Sequence, residues 1–192
     1  EYLSDLAAED SSKNLEVDIY PSGVLGAEPS TVEMVQAGVL DMAKVSANTL
    51  GQFDERYSIF SLPYLFRDQE HYYNAMANSE GIQELFESTR DKGYIAIGYY
   101  ANGARNYYLK EDKAVTDPSV LKGKKIRAMV SSTSMEMIEL MGGSPVPMAS
   151  SETYTSLQQG IVDGAENTEL ALTVDKHEEI VKSYTYTEHQ YS

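Results

Sequence analysis

The sequence predicts an α/β protein, and three observations lead there. Short apolar or alternating segments recur between segments with helical spacing. Near the N-terminus the order is strand, helix, strand, a βαβ unit that implies a parallel sheet. Turn residues punctuate the elements throughout, as at Pro21-Ser22-Gly23, Asn102-Gly103, Gly142-Gly143 and Asp163-Gly164.

Residues 3–14 read as the end of a helix, with Leu3, Leu6 and Ala7 on one side. Residues 15–20 alternate through Leu15, Val17 and Ile19, as a half-buried strand does. Ser30 is the expected N-cap of a helix over 31–37, with Glu33 completing a capping box and Gly38 ending it. Residues 40–45 form the next expected strand. The stretch 58–66, broken by Pro63, is a packed loop or short strand, and 69–90 is helical with Gly81 a candidate break. Residues 94–100 read as a strand. After Asn102-Gly103 come the aromatic pair Tyr107-Tyr108 and a short turn of helix opened by Asp117-Pro118. A strand is expected over 124–129, a helix over 132–141 and another over 152–159 capped by Ser150 or Ser151. A strand entered at Asp163-Gly164 and a final strand over 181–186 complete the pattern. The change in character at Asn102-Gly103 sets a lobe boundary. Residues 1–101 are expected to form lobe I, residues 102–187 lobe II, and residues 188–192 a strand returning toward lobe I. Both ends fall abruptly, one within a helix and one after a strand, so a fragment of a longer two-lobed protein is expected.

Composition narrows the function. Hydrophobic residues make up 42% of the chain, enough to fold. No apolar run reaches the ~18 residues that a membrane span requires, so this segment is not expected to insert. The formal net charge of −15 repels nucleic acid, and Lys122-Gly123-Lys124-Lys125 is a solvated turn rather than a basic patch. The same charge repels anions at long range, so an anionic ligand needs a local, preorganised cationic pocket. With no cysteine, thiolate metal sites and thiol nucleophiles are excluded. The three histidines, His71, His177 and His189, lack ligand spacing, and no phosphate loop or nucleophile elbow is present. No metal, cofactor or catalytic set is therefore expected. Asp163 and Glu166 read as a turn-capping and a structural acid. Glu188 and His189 are neighbours on a strand and face opposite sides. In the pairs Tyr72-Tyr73, Tyr99-Tyr100 and Tyr107-Tyr108, one ring is expected in the core and one at the surface.

Several ordered stretches are specific in combination. They are Tyr20-Pro21-Ser22-Gly23-Val24-Leu25-Gly26, Val35-Gln36-Ala37-Gly38-Val39-Leu40-Asp41-Met42-Ala43, and Leu62-Pro63-Tyr64-Leu65-Phe66-Arg67-Asp68. Further on come Leu121-Lys122-Gly123-Lys124-Lys125-Ile126-Arg127, Pro147-Met148, Tyr154-Thr155-Ser156-Leu157-Gln158-Gln159-Gly160, and Val162-Asp163-Gly164-Ala165-Glu166-Asn167. In this order and spacing the chain resembles the DctP family, the substrate-binding proteins of TRAP (tripartite ATP-independent periplasmic) transporters. The resemblance implies a two-lobed α/β clamp with a hinge. It implies a periplasmic or extracellular protein, free or lipid-anchored at the outer face of the cytoplasmic membrane, with its signal peptide removed. Its partners would be a small carboxylate ligand and the TRAP permease subunits. Family members also begin with a strand and most of a helix before the counterpart of Glu1, and continue past Ser192.

The resemblance carries three residues over. Arg127 matches the family's carboxylate-binding arginine, Arg105 a second arginine at the ligand, and Asn167 an asparagine that bonds the carboxylate region. Thr168 stands where a proline often follows. The chemistry of Arg127 is sound on its own terms: a guanidinium offers two parallel donors to a planar carboxylate and keeps its charge. A strand end also places it at the crevice where α/β sheets bind ligands. One charged hydrogen bond contributes roughly 1.5–3 kcal/mol, whereas micromolar affinity needs about 8 kcal/mol, so further contacts and lobe closure must contribute. Ser46 and Asn48, after the strand expected at 40–45, and Ser150 are the additional candidates. Arg105 is read either as a ligand contact or as a brace for an acid, and Asn167 as a ligand contact or a helix cap. The expected ligand is a sugar acid such as a hexuronate. A C4-dicarboxylate or sialic-acid-like ligand, and a ligand-sensing domain of a receptor, stay open as alternatives.

Overall fold

The computed structural model describes Asp5, Glu9 and residues 16–191. The helix expected over 3–14 lies outside the described residues except for Asp5 and Glu9, which are helical. The N-terminal half is built from α1 (Glu28–Gln36), α2 (Ala47–Leu50), a 3-10 turn (Glu55–Ser61), α3 (Gln69–Asn78) and α4 (Glu80–Glu87). The rest alternates strand and helix: β1 (Ala104–Leu109), β2 (Lys125–Ala128), α5 (Ser132–Leu140), β3 (Ser144–Pro147), α6 (Ser150–Gln159), β4 (Gly164–Asn167), α7 (Glu169–Thr173) and β5 (Ser183–Tyr191).

These five strands form one mixed sheet in the order β3-β2-β4-β1-β5. β2 runs parallel to β3 and β4, while β1 is antiparallel to β4 and β5. The parallel portion follows from the helical crossovers α5 and α6, which return the chain to begin each strand at the same edge. Alternation along the strands divides the core in two. Tyr107, Leu109, Ile126 and Ala128 pack with Leu121, Met137 and Ile138 on one face. On the other, Tyr108 and Ala165 pack with Leu157 and Val162. Gly164 allows the strands to close up: a Cβ there would lie 2.4 Å from the Tyr108 carbonyl oxygen.

A third apolar cluster holds the N-terminal half together around Tyr57, Phe60, Phe66, Tyr72, Met76 and Phe86. Tyr191, at the end of β5, packs into it and stacks on Tyr72 with ring centroids 6.0 Å apart. β5 therefore pairs with β1 in the sheet and ends in the other core. Between these parts the register of β5 on β1 shifts, and Glu188 takes φ 43°. The side chain of Asn106 accepts the Glu188 N–H at 2.8 Å, which occupies the donor that the irregularity removes from the ladder.

Several expectations are corrected. Strands were expected over 15–20, 40–45 and 94–100, but residues 16–20, 40–45 and 94–100 carry none, so the predicted N-terminal βαβ unit is not formed among the described residues. Several of their apolar side chains point outward, with Ile19 55%, Met42 52% and Ile97 76% exposed. Alternation signals a strand only where a neighbouring backbone offers a ladder. The first helix starts at Glu28 rather than after Ser30, because Pro29 fits the first helical turn and Ala27 takes the N-cap position. Ser79, not Gly81, separates α3 from α4. The stretch after Tyr57 is a packed 3-10 turn that buries Phe60 and Ser61. Neither Ser150 nor Ser151 caps α6. Ala149 holds that position without a side-chain acceptor, and the Glu152 carboxylate receives the Ala149 N–H at 3.0 Å. Tyr107 and Tyr108 are both fully buried, because β1 has a core on each face. The final strand continues to Tyr191, beyond residue 186.

Gly164→Ala forces the added carbon against a backbone oxygen that cannot turn away. Urea denaturation should show a stability loss of about 1–3 kcal/mol, whereas Ser30→Ala, which removes no cap, should stay within about 0.5 kcal/mol of the parent.

Candidate functional site

The sheet positions the arginines on different terms. Arg127 pairs in register with Ala165 of β4, so both face the Tyr108 side, opposite to Ile126 and Ala128. Asn167, two residues beyond Ala165, presents to the same side. These two residues therefore lie on one face of the sheet, on the adjacent strands β2 and β4. Arg105 enters from β1, and its guanidinium is committed within the protein.

Arg105 makes a bidentate pair with Glu166: Nε donates to Oε2 at 2.6 Å and Nη2 to Oε1 at 2.9 Å. Nη2 also donates to the Glu166 carbonyl at 2.9 Å, and Nη1 to Asn167 Oδ1 at 3.1 Å. The Thr168 N–H donates to the same Asn167 oxygen at 2.9 Å. The amide is thereby fixed with its oxygen inward, and its Nδ2 donates to no described group. His189 Nε2 stands 3.4 Å from Glu166 Oε2, and Thr187 Oγ1 lies 2.8 Å from the other ring nitrogen. Glu166 and Arg105 are 1% and 5% exposed, so this is a buried ion pair with a histidine at its flank. Burial alone would push the Glu166 carboxyl up, but Arg105 and His189 outweigh it and hold it at about 2. For Arg105, burial favours deprotonation and the Glu166 charge more than restores the cation.

Arg127 lacks that compensation. It is 4% exposed, and Nη2 donates to the Met148 carbonyl at 2.9 Å. Its Nε is buried with no hydrogen-bond partner, and no carboxylate among the described residues forms an ion pair with it. Burial lowers its pKa, which Glu166 offsets only in part and Arg105 lowers further. The guanidinium keeps its charge regardless, so a buried cation stands without a contacting counter-charge. That state is costly. Burial likewise lowers the pKa of His177, which is fully buried against the Tyr108 hydroxyl at 3.0 Å.

Asn48 is buried at the junction of the two halves. Its Nδ2 lies 3.1 Å from Met129 Sδ and 3.4 Å from Ser134 Oγ, and its Oδ1 accepts from Gln190 Nε2 at 2.9 Å. Gln52 Nε2 donates across the same junction to the Val130 carbonyl at 2.7 Å. Ser46 is the half-buried N-cap residue of α2, and its hydroxyl caps no helix N–H. Ser150 is exposed at the start of α6, two residues beyond the carbonyl that holds Arg127. The structure thus brings Arg105, Arg127 and Asn167 around Glu166, sets Asn48 and Ser46 on the facing half, and leaves Ser150 at the rim.

Glu28 and Ser131 escaped the sequence reading. Thr49 donates to Glu28 Oε2 at 2.6 Å, and both arginines feel the Glu28 charge. An acid opening a helix just after Gly26 was the available signal. Ser131, 8% exposed at the N-cap of α5, gives no signal because serine is ordinary at that position.

A mixed sheet flanked by helices places the chain among the α/β proteins. The model of the bacterial extracellular solute-binding proteins, family 7 (DctP), matches residues 1–192, and the chain belongs to this family. It is 43% identical over 190 residues to the protein YiiZ of Salmonella typhimurium, covering 98% of this chain and 57% of that protein. It superposes with a TM-score of 0.93 and 37% identity on a TRAP periplasmic solute-binding protein of Anaerococcus prevotii with bound D-glucuronate, covering 97% of this chain and 60% of that one. A Sulfitobacter TRAP periplasmic solute-binding protein with bound β-D-galacturonate gives a TM-score of 0.92 at 32% identity, covering 98% and 62%. The chain therefore spans somewhat over half the length of these proteins.

Glu166→Gln removes the counter-charge of Arg105 in a closed environment and should destabilise the protein by about 3–5 kcal/mol in denaturant titration. The pH dependence has a definite sign. The Glu166 pKa is lowered in the fold, so its contribution is complete above the ordinary value of 4.5 and is lost as pH falls toward about 2. His177 also has a lowered pKa, so its neutral form adds stability above 6.5 that is lost on acidification below it. A melting curve taken from pH 7 to pH 4 should fall throughout, and His177→Gln should flatten the upper part of that fall.

Proposed function

We propose that this chain forms most of the binding cleft of an extracytoplasmic solute-binding protein that captures a sugar acid of the hexuronate class and delivers it to a TRAP permease. The observation that carries this reading is Arg127, a buried cation with an unpartnered Nε and no ion-pair partner among the described residues. A ligand carboxylate supplies both the missing charge and the missing acceptors. Bound D-glucuronate in a protein 37% identical to this chain, and β-D-galacturonate in another 32% identical, support the choice of acid.

In this reading residues 1–101 and 188–192 belong to lobe I and residues 102–187 to lobe II, with the irregular stretch of β5 as part of the hinge. Arg127 grips the carboxylate and Asn167 donates its Nδ2 to the same end of the ligand. Arg105 holds Asn167 in place and pairs with Glu166, so its contribution to binding is positional. Ser46 and Asn48 meet the ligand from lobe I when the cleft shuts, and Ser150 lies at the entrance. Among the described residues no helix is long and apolar enough to cross a membrane, and no group of acids and histidines is arranged to hold a metal. The family's role in solute binding, rather than catalysis, accounts for the site without chemical steps. The protein works in the periplasm, as a free or lipid-anchored carrier.

Isothermal titration of the full-length protein with D-glucuronate and D-galacturonate tests the reading. A dissociation constant in the micromolar range or below is expected. Arg127→Lys should weaken it at least tenfold, since an ammonium cannot reproduce two parallel donors. An unchanged constant in that variant would remove Arg127 from the site.

A further inference from the structure

Asn102-Gly103 lies outside the candidate site, and the fold gives this pair a chemistry of its own. It occupies the connection that leads from residues 94–100 into β1, with Asn102 three residues before Arg105. Asn102 is exposed, and its side chain bonds to no described residue. Gly103 takes φ 98°, a left-handed conformation open to glycine. A Cβ there would meet nothing within 4 Å, so the main chain is uncovered on that side.

Asparagine carries a reaction that most side chains lack. Its side-chain carbonyl carbon is open to attack by the main-chain nitrogen of the next residue, which closes a small ring. That nitrogen must first give up its proton, so a hydrogen bond from the N–H to an acceptor holds the reaction back. The amide must also be free to turn toward the main chain, and a side chain on the next residue crowds the ring.

The described asparagines differ on these counts. The N–H that follows Asn48 donates to the Ser46 carbonyl at 3.0 Å, and the one after Asn78 to the Ala75 carbonyl at 3.0 Å. Those after Asn106 and Asn167 donate to Thr187 Oγ1 at 3.3 Å and to Asn167 Oδ1 at 2.9 Å. Asn74 and Ala75 sit inside α3, where the N–H groups serve the helix. Among the described asparagines only Asn102 is followed by glycine, and only there does the next N–H have no described acceptor. The related pair Asp163-Gly164 is held differently. Its carboxylate accepts the Lys125 N–H at 2.8 Å, and Gly164 is buried against Leu109.

We infer that Asn102 is a site of spontaneous deamidation. A base takes the Gly103 amide proton, the nitrogen bonds to Asn102 Cγ, and the Cγ–Nδ2 bond breaks to release ammonia. Water then opens the cyclic imide at one of its two carbonyls. Opening at Cγ restores the main chain with aspartate at position 102. Opening at the main-chain carbonyl routes the chain through the side-chain carbons as isoaspartate. Either product adds one negative charge just before β1, and isoaspartate also lengthens the main chain by one carbon. Ala101 and Ala104 both pack on the N-terminal core, so that extra length is confined to the pair between them. The inference is independent of the acid-binding reading of Arg127.

Peptide mapping of the full-length protein, kept folded at mildly alkaline pH and sampled over several days, tests it. Trypsin releases residues 93–105 with Asn102 as their only asparagine. That peptide should gain one mass unit and separate into aspartate and isoaspartate forms. It should do so roughly tenfold faster than the other peptides that carry a described asparagine, since freeing an engaged N–H costs about that factor. The rate should rise with pH, because the amide must lose a proton. Asn102→Gln, which needs a larger ring, should leave the mass of this peptide unchanged, with the thermal midpoint as a check on folding. If that variant does not fold, the pH dependence and the ranking of the parent's peptides decide alone. An unchanged 93–105 peptide, a rate that does not vary with pH, or conversion of Asn48 or Asn78 at a matching rate would each overturn the inference.

Discussion

The buried pair between Arg105 and Glu166 sets the terms for the rest of the site. It joins β1 to β4 through the side chains as well as through the ladder, and it fixes the Asn167 amide by a third donor from the same guanidinium. A bidentate pair so enclosed gains strength from the low dielectric that would penalise either charge alone. It also settles a division of labour. Two arginines lie close enough to influence each other's ionisation, yet only Arg105 has an internal carboxylate. The field left over at Arg127 is positive, local and inside a molecule whose formal charge is −15. Long-range repulsion and short-range attraction for an anion thus coexist, and the second dominates only within contact distance because solvent screens the first.

The second half of the chain was legible in the sequence because its elements meet one another. The segments around Ile126 and Ala165 found parallel partners, and Asp117 and Gly160 end or begin their helices as residue type suggests. In the first half the same alternation misled. Residues 40–45 and 94–100 read as strands, but a strand is a relation between two backbones, and sequence reports only one of them. Ser150 shows a smaller failure of the same kind. Serine is a good N-cap, but Ala149 takes the position because Glu152 reaches its N–H from inside the helix.

Site residues divide in the same manner. Arg127 and Asn167 were singled out from their motifs, and the structure sets both on the Tyr108 side of the sheet. That Arg105 would brace an acid, and that the acid would be Glu166, depends on β1 lying beside β4, a pairing across more than fifty residues. Asn48 was selected for its place after an expected strand. It is buried at the junction instead, held by Met129, Ser134 and Gln190. Its neighbour in space, Ser131, had no distinguishing sequence feature, since what marks it is the absence of a bond that serines at helix starts usually make.

β5 has a mechanical consequence. One strand is hydrogen-bonded into the sheet near Ser183 and buried by Tyr191 in the other core, while Gln190 anchors to Asn48 and to the Phe60 carbonyl. The backbone between these fixtures includes Glu188 in a left-handed conformation and Thr187, whose hydroxyl serves both Tyr107 and His189. Any rotation of one half against the other must twist this short stretch, since its two ends are held in different cores. The residues that neutralise Arg105 and those that transmit torsion are thus neighbours: His189 touches Glu166 on one side and the turning point of the strand on the other. His189 thus links the Arg105–Glu166 pair to the irregular stretch of β5.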